Sequence, residues 1–133
     1  MVTEPLSMEL LRAREKLMRL VRPYLHEHHC TEQQWRVFRA LDEFGELEPK
    51  DISEQSVIMP SSLTRILAIL EKEGYVIRKK NPADGRSVLI SLSEKGQSKV
   101  ARMRPHVTEI HENFVKRYGR ERVRYLAELL RAL

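Results

Sequence analysis

Apolar residues recur along this chain first with helical period, then briefly with the period of a strand, then with helical period again. Leu6, Leu10, Ala13, Leu17, Leu20 and Tyr24 step by four and three residues and form one stripe on a long helix. Arg12, Glu15, Lys16 and Arg19 lie off the stripe, and Pro23 falls inside it, where its ring predicts a kink. A second helix begins at Thr31, because Thr31-Glu32-Gln33-Gln34 is a capping box with a glutamine three residues after the hydroxyl. Trp35, Val37, Phe38 and Leu41 supply its buried face, and Gly45 is expected to close it in a left-handed conformation. A short third helix opens at Pro49, is anchored by Ile52 and runs out near Gln55. Pro60 then occupies the first turn of a fourth, where its missing N–H has no partner to lose. Leu63, Ile66, Leu67 and Leu70 form the stripe of that helix, and Gly74 ends it.

After Gly74 the period changes to two. "YVIRKK" and "SVLISL" read as strands, and "NPADGR" between them as a turn with Asp-Gly at its centre, so a β-hairpin is predicted. Helical period returns with a fifth helix, capped by Ser93, whose stripe is Val100, Met103, Val107, Ile110 and Phe114; Pro105 is placed to bend it. A sixth runs from about Arg120 to the end, with Val123, Leu126, Leu130 and Leu133 on one face. The predicted fold is mostly α with a small β-hairpin wing, in one domain spanning residues 1–133.

Charge adds direction to this outline. The net charge is +5 with a pI near 9.6, which favours a polyanionic partner. It is uneven: residues 31–47 carry a net −2, residues 75–87 a net +3, and residues 93–133 hold ten bases against five acids. The chain has one cysteine, so no internal disulfide can form. It has no apolar run near the roughly 20 residues a bilayer span needs, and no apolar signal core at its start, so the expected location is the cytoplasm, with no membrane partner.

A short helix, a tight turn, a helix with one apolar stripe and then a basic hairpin make a winged helix-turn-helix over residues 31–92, with the fourth helix as the recognition helix. With its leucines turned inward, that helix presents Ser61, Ser62, Thr64, Arg65, Ala68 and Ile69 outward. These are small groups and one arginine, suited to a major groove about 12 Å wide. Arg65 is the candidate reader of a guanine edge, and Ser61, Ser62 and Thr64 contact bases or phosphates; the alternative is an ordinary solvated face. In the hairpin, Arg78, Lys79, Lys80 and Arg86 are candidate DNA contacts, with Arg86 placed for a narrow minor groove. Asp84, two residues before it, is expected to pair with an arginine and orient it, or else to serve only the turn.

"SSLTRILAILEKEGYVIRK" followed by "DGRSVLISLSEKG" resembles the MarR family of bacterial winged-helix regulators. Leu63-Thr64, Glu71, Gly74, Asp84-x-Arg86, Leu92-Ser93 and Lys95-Gly96 carry the resemblance, which extends over nearly the whole chain. "ARE" at 13–15, "RP" at 22–23 and "TEQQWRV" at 31–37 are similar to the branch that regulates homoprotocatechuate degradation. The resemblance implies a homodimer built by residues 1–30 and 93–133 and bound to double-stranded DNA at a pseudo-palindromic operator. It also implies a repressor released by a small phenolic or aromatic acid. Arg14, Met18, Arg22, Trp35, Arg39 and His111 are the candidates to hold such an effector, since a ring needs an apolar slot and a carboxylate needs a cation. Each has a plainer reading as well: Trp35 as core, the arginines as surface charges or partners of Asp42 and Glu43.

Two other chemistries are raised by "HEHHC" at 26–30. His26, His29 and Cys30 suggest a metal, but a closed zinc site needs about four ligands and His106 and His111 are five apart, so no metal or other cofactor is expected. Cys30 is either a redox sensor activated by its histidine neighbours or a small buried hydrophobe. A metal- or redox-sensing regulator of the same fold, or an architectural DNA-binding protein, are therefore the alternatives. The chain has no glycine-rich phosphate loop, nucleophile elbow or facing carboxylate pair, so no enzyme is expected.

Overall fold

Six helices and one hairpin follow the predicted order in a computed structural model that describes residues 5–133. They are α1 (Leu6–Glu27), α2 (Glu32–Phe44), α3 (Pro49–Ser56), α4 (Pro60–Lys72), β1 (Val76–Asn81), β2 (Asp84–Leu92), α5 (Glu94–Tyr118) and α6 (Arg120–Arg131). The described residues divide into two compact units. One holds those up to Tyr24 with Arg104–Leu133; the other is Leu25–Met103.

The second unit is built around α2. Its capping box forms as read: the Thr31 hydroxyl accepts from the Gln34 N–H at 3.0 Å, and the Gln34 side-chain oxygen accepts from the Thr31 N–H at 3.1 Å. Gly45 has positive φ (76°), but its ψ of −133° is not left-handed helical; only glycine adopts that region readily. Trp35, Val37, Phe38, Ala40 and Leu41 are buried, with Ile52 of α3, Leu63, Ile66, Leu67 and Leu70 of α4, and Ile90 of β2. Each large side chain fully buried contributes about 1.5–3 kcal/mol. Phe38 meets Tyr75 edge to face, with ring centroids 5.6 Å apart.

The strands pair antiparallel, Val76 opposite Leu92 and Lys80 opposite Val88. The register ends at Asn81 opposite Asp84, leaving Pro82-Ala83 as the connecting pair. Asp-Gly therefore opens β2 instead of centring the turn. The reason is local: the Asn81 side chain accepts from the Ala83 N–H at 3.0 Å and makes the turn one step earlier. Leu47 adds a bridge to the other edge of β2, exchanging both backbone hydrogen bonds with Ile90, a pairing the local pattern did not signal.

This unit extends past the predicted lobe at both ends, taking in residues 25–30 and 93–103. Leu25 and Cys30 are buried in it, and the Lys99 ammonium donates to the His28 carbonyl at 2.8 Å. The first turn of α5 is clamped to the end of α4. The Ser93 hydroxyl donates to the Gly74 carbonyl at 2.6 Å and accepts from the Gly96 N–H at 3.1 Å; the Lys95 ammonium donates to the Glu73 carbonyl at 2.6 Å.

Pro23 lies inside α1 and Pro105 inside α5, and neither proline ends its helix. The α1 stripe is not a core: Leu6, Leu10 and Leu20 are exposed, and the buried positions of the helix are Val21 and Leu25. Periodicity identified an apolar face that α5 covers only in part: the Tyr24 ring lies 5.4 Å from that of His106, while the leucines at 6, 10 and 20 stay exposed. α6 likewise buries none of its residues and leaves Tyr125, Leu126, Leu129 and Leu130 exposed.

Candidate nucleic-acid interface

Helix α4 presents the face its stripe predicts. With four leucines and isoleucines buried, Ser61, Thr64, Arg65, Ala68 and Ile69 are exposed and Ser62 half-buried. The Thr64 hydroxyl donates back to the Pro60 carbonyl at 3.0 Å, leaving its oxygen free to accept. Arg65 has no partner among the described residues. The helix starts without a side-chain cap: Met59 is the N-cap residue and Pro60 has no N–H. The amides of Ser61 and Ser62 thus face outward at the positive end of the helix dipole, a ready anion site. These serines were expected to contact bases or phosphates, and the uncapped Met-Pro start offers their amides for the phosphate.

The wing cations fall into two groups. Arg78 shares the inward face of the sheet with Ile90 and donates from Nε to Glu71 of α4 at 3.1 Å. Lys79, on the opposite face, pairs with Glu46 at 3.0 Å. Both pairs are largely exposed and are worth roughly 0–1 kcal/mol each, so either cation can exchange its carboxylate for a phosphate at small cost. Lys80 and Arg86 are exposed and without an ion pair among the described residues. Asp84 does not pair with an arginine guanidinium; its carboxylate accepts from the Arg86 N–H at 3.0 Å. It fixes the backbone of the arginine, not its fork. Glu48 braces the wing from below, accepting from Asn81 at 3.0 Å and from Ser87 at 3.1 Å. A groove of about 410 Å³ runs between α3, α4 and β1, lined in part by Lys50, Thr64 and Arg78.

The six candidate effector residues are divided. Arg14, Met18 and Arg22 share one face of α1 in the first unit, and His111 lies in α5 of the same unit. Arg22 is engaged: both its terminal nitrogens donate to Glu15, at 2.7 and 2.8 Å, which holds the Glu15 carboxyl below its usual range. Trp35 and Arg39 belong to the second unit, Trp35 in its core and Arg39 on its surface. The first unit also contains a cavity of about 580 Å³ lined by residues of α1, α5 and α6, among them Arg12, Lys16, Arg122 and the stacked rings of Phe114 and Tyr118. None of the candidate residues lines it.

Neither alternative in "HEHHC" is supported by its surroundings. Among the described residues no three His, Cys, Asp or Glu side chains cluster as a metal site. Cys30 is buried and its thiol is pushed up to about 11, first by burial, with Lys99 opposing. It is a neutral thiol at physiological pH. Alkylation of native protein at pH 8 is therefore expected to be at least ten times slower than of unfolded protein, measured by mass spectrometry. Because its folded value lies above the ordinary 9.0, the thiol's contribution to stability is complete below pH 9 and is lost as pH rises towards 11.

The MarR family model matches residues 30–88. Over 127 residues the chain is 35% identical to the homoprotocatechuate degradative operon repressor of Escherichia coli, covering 96% of this chain and 86% of that protein. Among solved structures, NadR in complex with 4-hydroxyphenylacetate is 36% identical with a TM-score of 0.85, covering 99% of this chain and 96% of that one. A mutant of MarR from E. coli in complex with operator DNA is 26% identical with a TM-score of 0.86, covering 96% and 92%.

Proposed function

The chain belongs to the MarR family of transcriptional regulators, and we propose that it is a homodimeric repressor that holds a pseudo-palindromic operator until a small aromatic acid releases it. It is a regulator, as its relatives are named, and not an enzyme. The observation that carries the DNA-binding half is the outward face of α4, where Arg65 and the amides of Ser61 and Ser62 have no partner among the described residues, beside a wing whose Lys80 and Arg86 have no ion pair among them either. In this reading α4 enters the major groove, with Arg65 on a guanine edge, Thr64 on a base or phosphate, and the amides of Ser61 and Ser62 on a phosphate. Lys80, Arg78 and Lys79 follow the backbone, and Arg86, its main chain fixed by Asp84, reaches into the neighbouring minor groove. No described helix is long and apolar enough to cross a membrane; the working compartment is that of the chromosome, the cytoplasm.

The exposed leucines of α1 and α6 support the dimer. Leu6, Leu10, Leu11 and Leu20, with Leu126, Leu129 and Leu130, are an apolar surface that a second copy would bury. A two-fold pair would present its recognition helices about 34–36 Å apart, or a near multiple. For the effector, the relatives supply the chemical class, since one is named for homoprotocatechuate and one is solved with 4-hydroxyphenylacetate. Arg14 and Arg22 are assigned to its carboxylate, Arg22 by exchanging Glu15, with Met18 and His111 against its ring.

Arg86→Ala is expected to weaken operator binding by about 1–3 kcal/mol while leaving the sedimentation of the dimer unchanged. Undiminished affinity would remove the minor-groove role. The reading as a whole is tested by titrating DNA from the gene's own upstream region at fixed salt, with and without 3,4-dihydroxyphenylacetate. Release by the compound is the expected result; binding that ignores it and 4-hydroxyphenylacetate alike would reject the aromatic effector and leave the family assignment standing.

A further inference from the structure

We infer that the turn between α3 and α4 reads thymine, with Val57 and Met59 forming an apolar edge against 5-methyl groups in the major groove. The inference rests on the regulator reading above. Val57 is 80% exposed and Met59 72%; among the described large hydrophobics only Leu133 exceeds Val57. Neither contributes to the core, yet both sit where the chain enters the recognition helix. Val57 caps the C-terminus of α3 and Met59 the N-terminus of α4.

The turn is held rigidly in that pose. Val57 has φ 54° and ψ 53°, a left-handed conformation that a β-branched residue rarely adopts and that glycine would occupy without strain. The backbone is pinned from two helices. Arg36 of α2 donates to the Val57 carbonyl at 3.2 Å, the Ser53 hydroxyl of α3 donates to the Ile58 carbonyl, and the Ile58 N–H donates to the Ser53 carbonyl at 3.1 Å. Ile58, between the two, is buried. One apolar side chain anchors the turn and its two neighbours are held out.

The occupant follows from the surroundings. Ser61, Thr64, Arg65 and the free amides at the start of α4 continue the same surface, and they select a polyanion. On duplex DNA, the apolar group that the major groove offers is the thymine methyl, which only A·T and T·A pairs carry.

The test is a uracil scan. Each thymine of the operator is replaced singly by deoxyuridine, which removes only the methyl, and affinity is measured for the wild type, Val57→Gly and Met59→Ala. The wild type is expected to lose about four-fold at one or more thymines in each half-site. Val57→Gly or Met59→Ala should bind the intact operator more weakly and be indifferent to uracil at those positions. Thymines read by Ile69 or Ala68 should remain sensitive in both variants. Wild-type indifference to every uracil, or the same sensitivities in both variants, overturns the inference while the regulator reading stands. Failure to prefer the operator over scrambled DNA overturns both.

Discussion

Gly96→Ala is expected to lower the unfolding free energy by about 3 kcal/mol or more. A Cβ at position 96 would lie 2.2 Å from the Tyr75 carbonyl oxygen and 3.2 Å from the Leu92 side chain. The carbonyl cannot swing away cheaply, because it accepts from the Ser93 N–H at 3.0 Å. The same few residues hold Ser93 to Gly74 and Lys95 to Glu73, so an alanine pushes the first turn of α5 off the end of the recognition helix. Urea denaturation measures the loss. Gly85→Ala is the control: nothing lies within 4 Å of its added carbon, and stability should change by less than about 0.5 kcal/mol. A Gly96→Ala effect as small as that of Gly85→Ala would contradict the packing described.

Arg65→Ala should do the opposite: little to stability, much to recognition. The side chain is exposed and has no partner among the described residues, so unfolding should shift by no more than about 0.5 kcal/mol. Operator affinity should fall by about 1–3 kcal/mol, with discrimination relaxed at one base position. Competition among operator variants with single base changes distinguishes the possible roles. A uniform loss across all sequences would make Arg65 a phosphate contact, and no loss would remove it from the interface.

These two residues show what could be read before the fold was known. Arg65 was legible because helical period alone sorts one face of α4 from the other, and four buried leucines and isoleucines fix the sorting. The Thr31–Gln34 box and the prolines opening α3 and α4 were legible for the same reason: caps act within one turn. Gly96 was visible only as part of a motif. Its physical role, room for the Tyr75 carbonyl, lies 21 residues away in sequence. The bracing of the wing is equally remote, since Glu48 reaches Asn81 and Ser87 across 33 and 39 residues. Nothing in the local pattern marks which wing arginine is tied to an acid and which is free. The α1 stripe shows the other limit. Periodicity says that Leu6, Leu10 and Leu20 form a face, but an apolar face has the same spacing whether its own chain or a second copy covers it.

The central claim is that α4 and the wing together read a specific duplex. The most direct test is a salt-dependent binding isotherm on the gene's upstream DNA, run beside the same DNA with its half-sites scrambled. Tight binding to the intact site is expected, with a protected region of two half-sites. Affinity should fall steeply with salt, and binding to the scrambled duplex should be weaker and sequence-indifferent. Equal affinity for the two duplexes at every salt concentration would rule out specific reading by α4 and the wing.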